Sequence, residues 1–303
     1  MRVSLILLTL VTLLLFAAPL SAQQNNQIID CQAEGRPVIV GNGTGTGIVV
    51  QGKNGVIIQN CTVKGFELGL LVADSSNVIV RNSNFSDNYV DDNSILDLGA
   101  WLPKGGVMFH NVTASTIQNV TASGNVQGIQ IVKGGNNVLR ANDVRRNRGW
   151  GIRLLESSGN RVEDNDASYN NRSCPEWGHD AGCESAGIVL VNSDNTLVIG
   201  NTANFSGDGI YQGNTPDRAS HNNAFYWNIL NDNTANGIEA TFSHDNRFIG
   251  NELQRNNYAL WLGYASYALV SGNYANGNRV MDCRAEHSSV IILESNTFTD
   301  CPQ

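Results

Sequence analysis

The sequence predicts an all-β parallel β-helix, a solenoid in which each short coil of chain pairs with the next. Three observations carry this: a glycine–aliphatic pair that recurs with a fixed period, an asparagine marker that travels with it, and a composition hostile to helices. Only 15% of the 303 residues are charged, against 31 Gly and forty Asn. An ordinary soluble domain carries ~25% charged residues, and Gly and Asn favour turns over helix. With 19 Lys+Arg against 27 Asp+Glu and a net charge of −8, the chain is poorly equipped to neutralise phosphates. Nucleic-acid binding and a helical bundle are both excluded.

The N-terminus reads as a secretory signal over residues 1–22. Arg2 precedes an apolar run across 5–18, and Ser21-Ala22 supplies small residues for cleavage. The run is short of the ~20 residues that span a bilayer. The expectation is an exported protein (secreted, periplasmic or at the cell surface), with no membrane attachment after cleavage. Six Cys in such a chain suggest disulfides. Nearest neighbours in sequence give Cys31–Cys61, Cys174–Cys183 and Cys283–Cys301, one of fifteen connectivities. No pair has zinc-finger spacing; neither metal nor cofactor is expected, and nothing in the pattern indicates Ca2+.

The repeat follows. Gly47-Ile48, Gly69-Leu70, Gly106-Val107, Gly128-Ile129, Gly151-Ile152, Gly187-Ile188, Gly209-Ile210 and Gly237-Ile238 continue as Ala259-Leu260. Four spacings are 22 and one is 23; the others read as 22 plus insertions. Asn60, Asn82, Asn119, Asn142, Asn165, Asn201, Asn251 and Asn273 each follow their marker at a spacing of 13 or 14. Between markers, short runs of alternating apolar residues are split by Asn, Asp, Ser and Gly, which gives three short strands per repeat. At a rise of ~3.3 Å per residue, one period makes a small triangular coil, and coils stack ~4.8 Å apart. About ten coils are expected over 47–303, after an N-terminal cap at 23–46, with loop insertions near 88–104, 171–185 and 214–220. A leucine-rich repeat shares the period but needs Leu where this chain has Ile, Val and Ala.

The periodicity names the core. Ile48, Leu70, Val107, Ile129, Ile152, Ile188, Ile210, Ile238 and Leu260 should form one inward column, and Val50, Val72, Phe109, Ile131, Leu154, Leu190 and Leu262 a second. The Asn marker should occupy an inside corner, its amides laddering from coil to coil.

The opening Ile29-Asp30-Cys31, Gly45-Thr46-Gly47-Ile48 and the run from Val56 to Phe66, with Asn236-Gly237-Ile238-Glu239 and Ala259-Leu260-Trp261-Leu262-Gly263, resemble secreted right-handed β-helix proteins of the NosD-like and pectate-lyase-like superfamily. The resemblance implies right-handed coiling and a polysaccharide partner, most readily a uronate-containing one. It carries no matching catalytic motif: Gly178-His179-Asp180 only partly resembles the Gly-His-Gly of polygalacturonases, and the other elements of that family are missing. A copper role suggested by the NosD-like name would favour soft Met and Cys ligands, and the chain has three Met.

Two and four places past each glycine, residues should point outward, and they are unusually apolar and aromatic for a solvated face. Tyr211, Glu239 and Trp261 fall on adjacent coils there; Arg153 lies two coils below Tyr211, and His110 is on the same face. The insertions add Trp101, Trp177, His179 and Asp180. A lyase or epimerase would take His179 or His110 as base, Arg153 as charge neutraliser and Tyr211 as acid. A hydrolase, ranked behind it, would use two carboxylates, for which Asp208 and Glu239 are the best pair. Trp261, His110, Trp101, Trp177 and Asp180 are then substrate-binding candidates. The competing expectation is a monomeric, non-catalytic carbohydrate-binding or scaffold protein with the same fold.

Overall fold

The computed structural model describes residues 20–22, 27–89, 103–173, 182–214 and 218–302, the first three as backbone. Within them the chain forms a right-handed parallel β-helix with no α-helix. An 11-stranded sheet, sheet one, takes Leu20–Ala22 and then one strand per coil: Thr46–Gln51, Leu68–Ser76, Gly105–Thr113, Gln127–Val132, Trp150–Leu155, Ala186–Val191, Asp208–Gly213, Asn236–Thr241, Tyr258–Gly263 and Met281–Glu286. A 13-stranded sheet, sheet two, runs beside it from Ile28–Asp30 to Ser289–Glu294. The third face is thinner than the three-strand repeat predicts. Val38–Val40 pairs with Thr62–Lys64 near one end and Glu252–Gln254 with Tyr274–Asn276 near the other, but the coils from Thr121 to Glu252 are joined there by single bridges such as Asp143 to Asp166 and Thr202 to Ile229. The reason is local: left-handed residues on both sides, such as Asp164 and Tyr169, leave only a few extended residues between two corners.

Register follows the repeat. Ile129 lies opposite Ile152, Ile152 opposite Ile188, Ile188 opposite Ile210 and Ile210 opposite Ile238. Both expected inward columns are fully buried, and they join Val80, Ile117, Leu139, Val162, Val198, Phe225 and Phe248 from sheet two in one continuous core. Gln212 interrupts the second column between Leu190 and Ala240. Its amide is satisfied inside, donating to the Ser220 carbonyl (3.2 Å) and accepting from Asn223 (3.0 Å). The marker glycines are needed for space: a Cβ on Gly128 would stand 2.5 Å from the Gly151 carbonyl oxygen.

The Asn marker divides into two structural positions. Asn142, Asn165, Asn201, Asn228, Asn251, Asn273 and Asn296 form the expected inside ladder, each Nδ2 donating to the next Oδ1 at 2.9–3.0 Å. Asn60, Asn82 and Asn119 do not belong to it. They sit one place earlier, at the shorter of the two spacings from their glycine, in a left-handed corner (φ 50–56°) with Asn82 and Asn119 exposed. Cys61, Ser83 and Val120 hold the inside position in those coils: Ser83 Oγ accepts from the Cys61 amide, and Asn142 Oδ1 from the Val120 amide. Asn suits both sites, because its short amide tolerates left-handed backbone and also caps turns. Further ladders line the other corners, including Asn88–Asn125–Asn147–Asn170 and Ser157–Ser193–Ser220.

At the ends, Cys31–Cys61 and Cys283–Cys301 are bonded, and the Ala285 amide donates to the Pro302 carbonyl. Cys183 is disulfide-bonded, while Cys174 lies outside the described residues. Within the expected cap, Ile28–Asp30 and Val38–Val40 already pair in parallel with the coil above. Leu20–Ala22, inside the expected signal, pairs with residues 48–50. No helix of the described residues is long and apolar enough to cross a membrane.

Candidate functional site

The outer face of sheet one differs along the axis. In its lower half it is closed. Leu68, Met108, Val126, Val132, Trp150, Leu155, Ala186, Val189 and Val191 make a second buried apolar cluster, outside the solenoid's own core. The solvated outer face expected there is therefore corrected: apolar area on this scale is stable when covered. Arg153 lies in this half and is 0% exposed. Its guanidinium stacks on Trp150 (4.9 Å to the ring) and donates to Gln130 Oε1 at 3.3 Å. It offers no charge to solvent, unlike the open neutraliser the sequence suggested. His110 is half-buried, four coils below Tyr211 or ~19 Å at coil spacing, with its imidazole pKa held down by burial. The structure does not bring His110, one of the two candidate bases, beside Tyr211.

The upper half is open and polar. Asp208, just before marker Gly209, and Glu239, two places after marker Gly237, sit on successive coils. Asn236 bridges them, its amide N–H donating to Asp208 Oδ1 (2.9 Å) and its Nδ2 to Glu239 Oε2 (2.8 Å). Burial pushes both carboxyls well above the usual range; the charge of Asp208 raises Glu239 further, and the Asn236 bonds oppose the rise at both. Both carboxyls are thereby biased toward the protonated form.

Aromatic side chains flank the pair. Tyr211 lies opposite Glu239 in register, and Glu239 opposite Trp261. Burial and the Glu239 charge push the Tyr211 phenol up to about 12, opposed by a hydrogen bond with Thr241. Its hydroxyl end lies over Gly213, where a Cβ would stand 2.4 Å from Cε1 and 2.5 Å from the oxygen. Gly213 has no positive φ, so what this position requires is space. Trp261 is half-buried, 6.0 Å from the Tyr258 ring, and its Nε1 donor is buried with no hydrogen-bond partner among the described residues. Arg284 continues the column above Trp261, hydrogen-bonded to Tyr258 Oη (3.4 Å) and paired with Glu286 (3.4 Å).

The structure thus brings together Asp208, Tyr211, Glu239 and Trp261, and separates Arg153 and His110 from them. Trp101, Trp177, His179 and Asp180 lie outside the described residues. Asn236 and Arg284 escaped the sequence reading. The signal for Asn236 was available, since the residue before each marker glycine also faces out; Arg284 was hidden because its coil has Asp282-Cys283 in place of glycine–aliphatic. No cluster of three or more metal-binding side chains occurs among the described residues.

Fold and site together define a parallel β-helix with an acidic, aromatic strip on the outer face of its first sheet. The chain belongs to the right-handed β-helix family: the family described as right handed beta helix region matches it over residues 20–203 and 178–303. No curated protein matches the sequence. Among solved structures it is similar to a mannuronan C-5 epimerase A-module of Azotobacter vinelandii (TM-score 0.60, 14% identity, 84% of this chain and 72% of that one). It is also similar to a periplasmic alginate epimerase (0.54, 12%, 86% and 79%) and to the Dettilon tailspike protein (0.56, 12%, 87% and 63%). At these identities the likeness is one of fold.

Proposed function

We propose that this protein is exported by its N-terminal signal and acts on extracellular polysaccharide along the open half of sheet one, with Asp208 and Glu239 as a paired acid and base. The observation that carries the reading is the Asn236 bridge, which holds two half-buried carboxyls on adjacent coils beside Tyr211 and Trp261. A pair sharing one proton near neutrality suits glycoside hydrolysis. The protonated carboxyl gives its proton to the glycosidic oxygen as the C–O bond breaks; the ionised one takes a proton from the water whose oxygen joins the sugar carbon. The lyase or epimerase scheme ranked first on sequence needs a cation beside a uronate carboxylate, and Arg153 is enclosed two coils below. Similar folds named for alginate epimerases support the polysaccharide class.

The test is release of reducing ends from a panel of neutral and acidic polysaccharides, with ultraviolet absorbance followed to detect the unsaturated products of a lyase. Reducing ends without that absorbance, lost in Glu239→Gln and Asp208→Asn, are the expected result. Unsaturated products, or turnover unchanged in both variants, would overturn it. Binding retained in both variants with no turnover in any would favour the non-catalytic carbohydrate-binding protein.

A further inference from the structure

We infer that the Tyr211–Glu239–Trp261 strip takes an uncharged sugar chain and not a polyuronate. The inference rests on the polysaccharide reading above and narrows its substrate class.

The reacting positions are two carboxyls that share one site, so at least one negative charge faces the ligand as pH rises through the neutral range. A uronate brings a carboxylate on every ring, and proteins bind such chains by setting a cation or a guanidinium fork against it. On the outer face of sheet one the guanidiniums are committed elsewhere. Arg153 is enclosed against Trp150, and Arg284 is tied to Glu286 and Tyr258. At the rims of the insertions, Arg172 is paired with Glu184, Arg218 with Asp194 and Lys104 with Glu67; at the entry to the strands, Arg279 is bound to the Asn233 and Thr234 carbonyls and to Asn257 Oδ1. Stretches 90–102, 174–181 and 215–217 of the insertions, outside the described residues, hold five Asp, one Glu and one His and contain no Lys or Arg.

What the strip does offer fits a neutral pyranose. Tyr211 and Trp261 supply aromatic surface for the C–H face of a sugar. The buried Trp261 Nε1 has no partner among the described residues, and a sugar hydroxyl would satisfy it. Thr241 and the carboxyls are further hydrogen-bond partners for hydroxyls. A neutral chain gains these contacts with no like-charge penalty.

The experiment uses matched polymers that differ only in charge. Polygalacturonate, alginate and glucuronan are each compared with their carboxyl-reduced, uncharged counterparts, with binding to the full mature chain measured by affinity electrophoresis and calorimetry at pH 8, with EDTA and again with CaCl2. At least one reduced polymer should bind tenfold or more tightly than its parent, in EDTA as well as in CaCl2. Glu239→Gln should shrink that ratio, and Trp261→Ala should weaken the reduced polymer. A parent that binds as tightly as its reduced form, or that binds only with CaCl2, overturns the inference while leaving the polysaccharide reading intact. If no polymer of either series, nor any neutral glucan, mannan or xylan, binds, the polysaccharide reading itself falls and takes the inference with it.

Discussion

The two halves of sheet one's outer face are built on the same backbone and do opposite things. Below, Met108, Gln130, Arg153 and Val189 occupy the outward column and are buried. Above, Tyr211, Glu239, Trp261 and Arg284 occupy the same column and remain partly open. Register and pairing do not change between them. A parallel ladder therefore fixes where each side chain stands but not whether it meets solvent. Its lower half behaves as a second core, in which even a guanidinium is packed and bonded; its upper half concentrates two titratable groups that burial and proximity push away from their usual ionisation.

The largest expected contrast is catalytic. Glu239→Gln or Asp208→Asn should lower turnover by ~10²–10⁴ without loss of thermal stability, whereas Arg153→Met should leave specific activity of the folded fraction within about twofold. An activity loss in Arg153→Met at unchanged melting temperature would break the division between the halves.

Stability should show the reverse. Arg153→Ala empties a fully buried site over Trp150 and should cost roughly 2–5 kcal/mol, the range for large buried truncations, read by urea unfolding with Met in its place as the volume control. A cost below about 1 kcal/mol would mean that the lower face is not a packed core.

The carboxyl pair makes a pH prediction. Its ionisation is raised in the folded state, so the unfolded chain releases these protons first as pH climbs from the usual carboxylate range into the neutral range. Folding stability from this pair is thus fully present at low pH and declines across that window. Glu239→Gln removes the decline, so its melting temperature relative to wild type should rise between pH 5 and pH 8, by ~2–4 °C for each kcal/mol relieved. A difference flat with pH would show that the pair does not share a proton.

Smaller effects sharpen the comparison. Gly213→Ala places a methyl where the Tyr211 hydroxyl end lies and should cost ~1–3 kcal/mol as overpacking, read by urea unfolding. Asn201→Ala should cost ~1–3 kcal/mol by unsatisfying a buried ladder. Asn119→Gly should change unfolding by less than ~0.5 kcal/mol, because an exposed left-handed corner accepts glycine.

Most of the solenoid was legible in the chain because its signals are periodic. A glycine fixed by close coil-to-coil approach and an aliphatic residue beside it repeat often enough to reveal the register, and with it the columns from Ile48 to Leu260. The asparagine marker was legible as a repeat but not as one position: both of its spacings fit a corner, and the choice between Asn119 and Val120 as the inward residue depends on which of them turns left-handed. Of the site, the column holding Tyr211, Glu239 and Trp261 could be read directly. The Asn236 bridge and Arg284 could not, since one depends on a side-chain rotamer between coils and the other lies in a coil that lacks the marker.

By itself, then, the sequence determined the coil length, the inward columns and which residues share the outer face, since these follow from the spacing of residues along one strand. Only the tertiary structure decided that Arg153 is enclosed, that His110 is remote, and that Asp208 and Glu239 meet through Asn236. Burial and side-chain partnership depend on what packs across the sheet, and neighbours in that direction lie far apart along the chain.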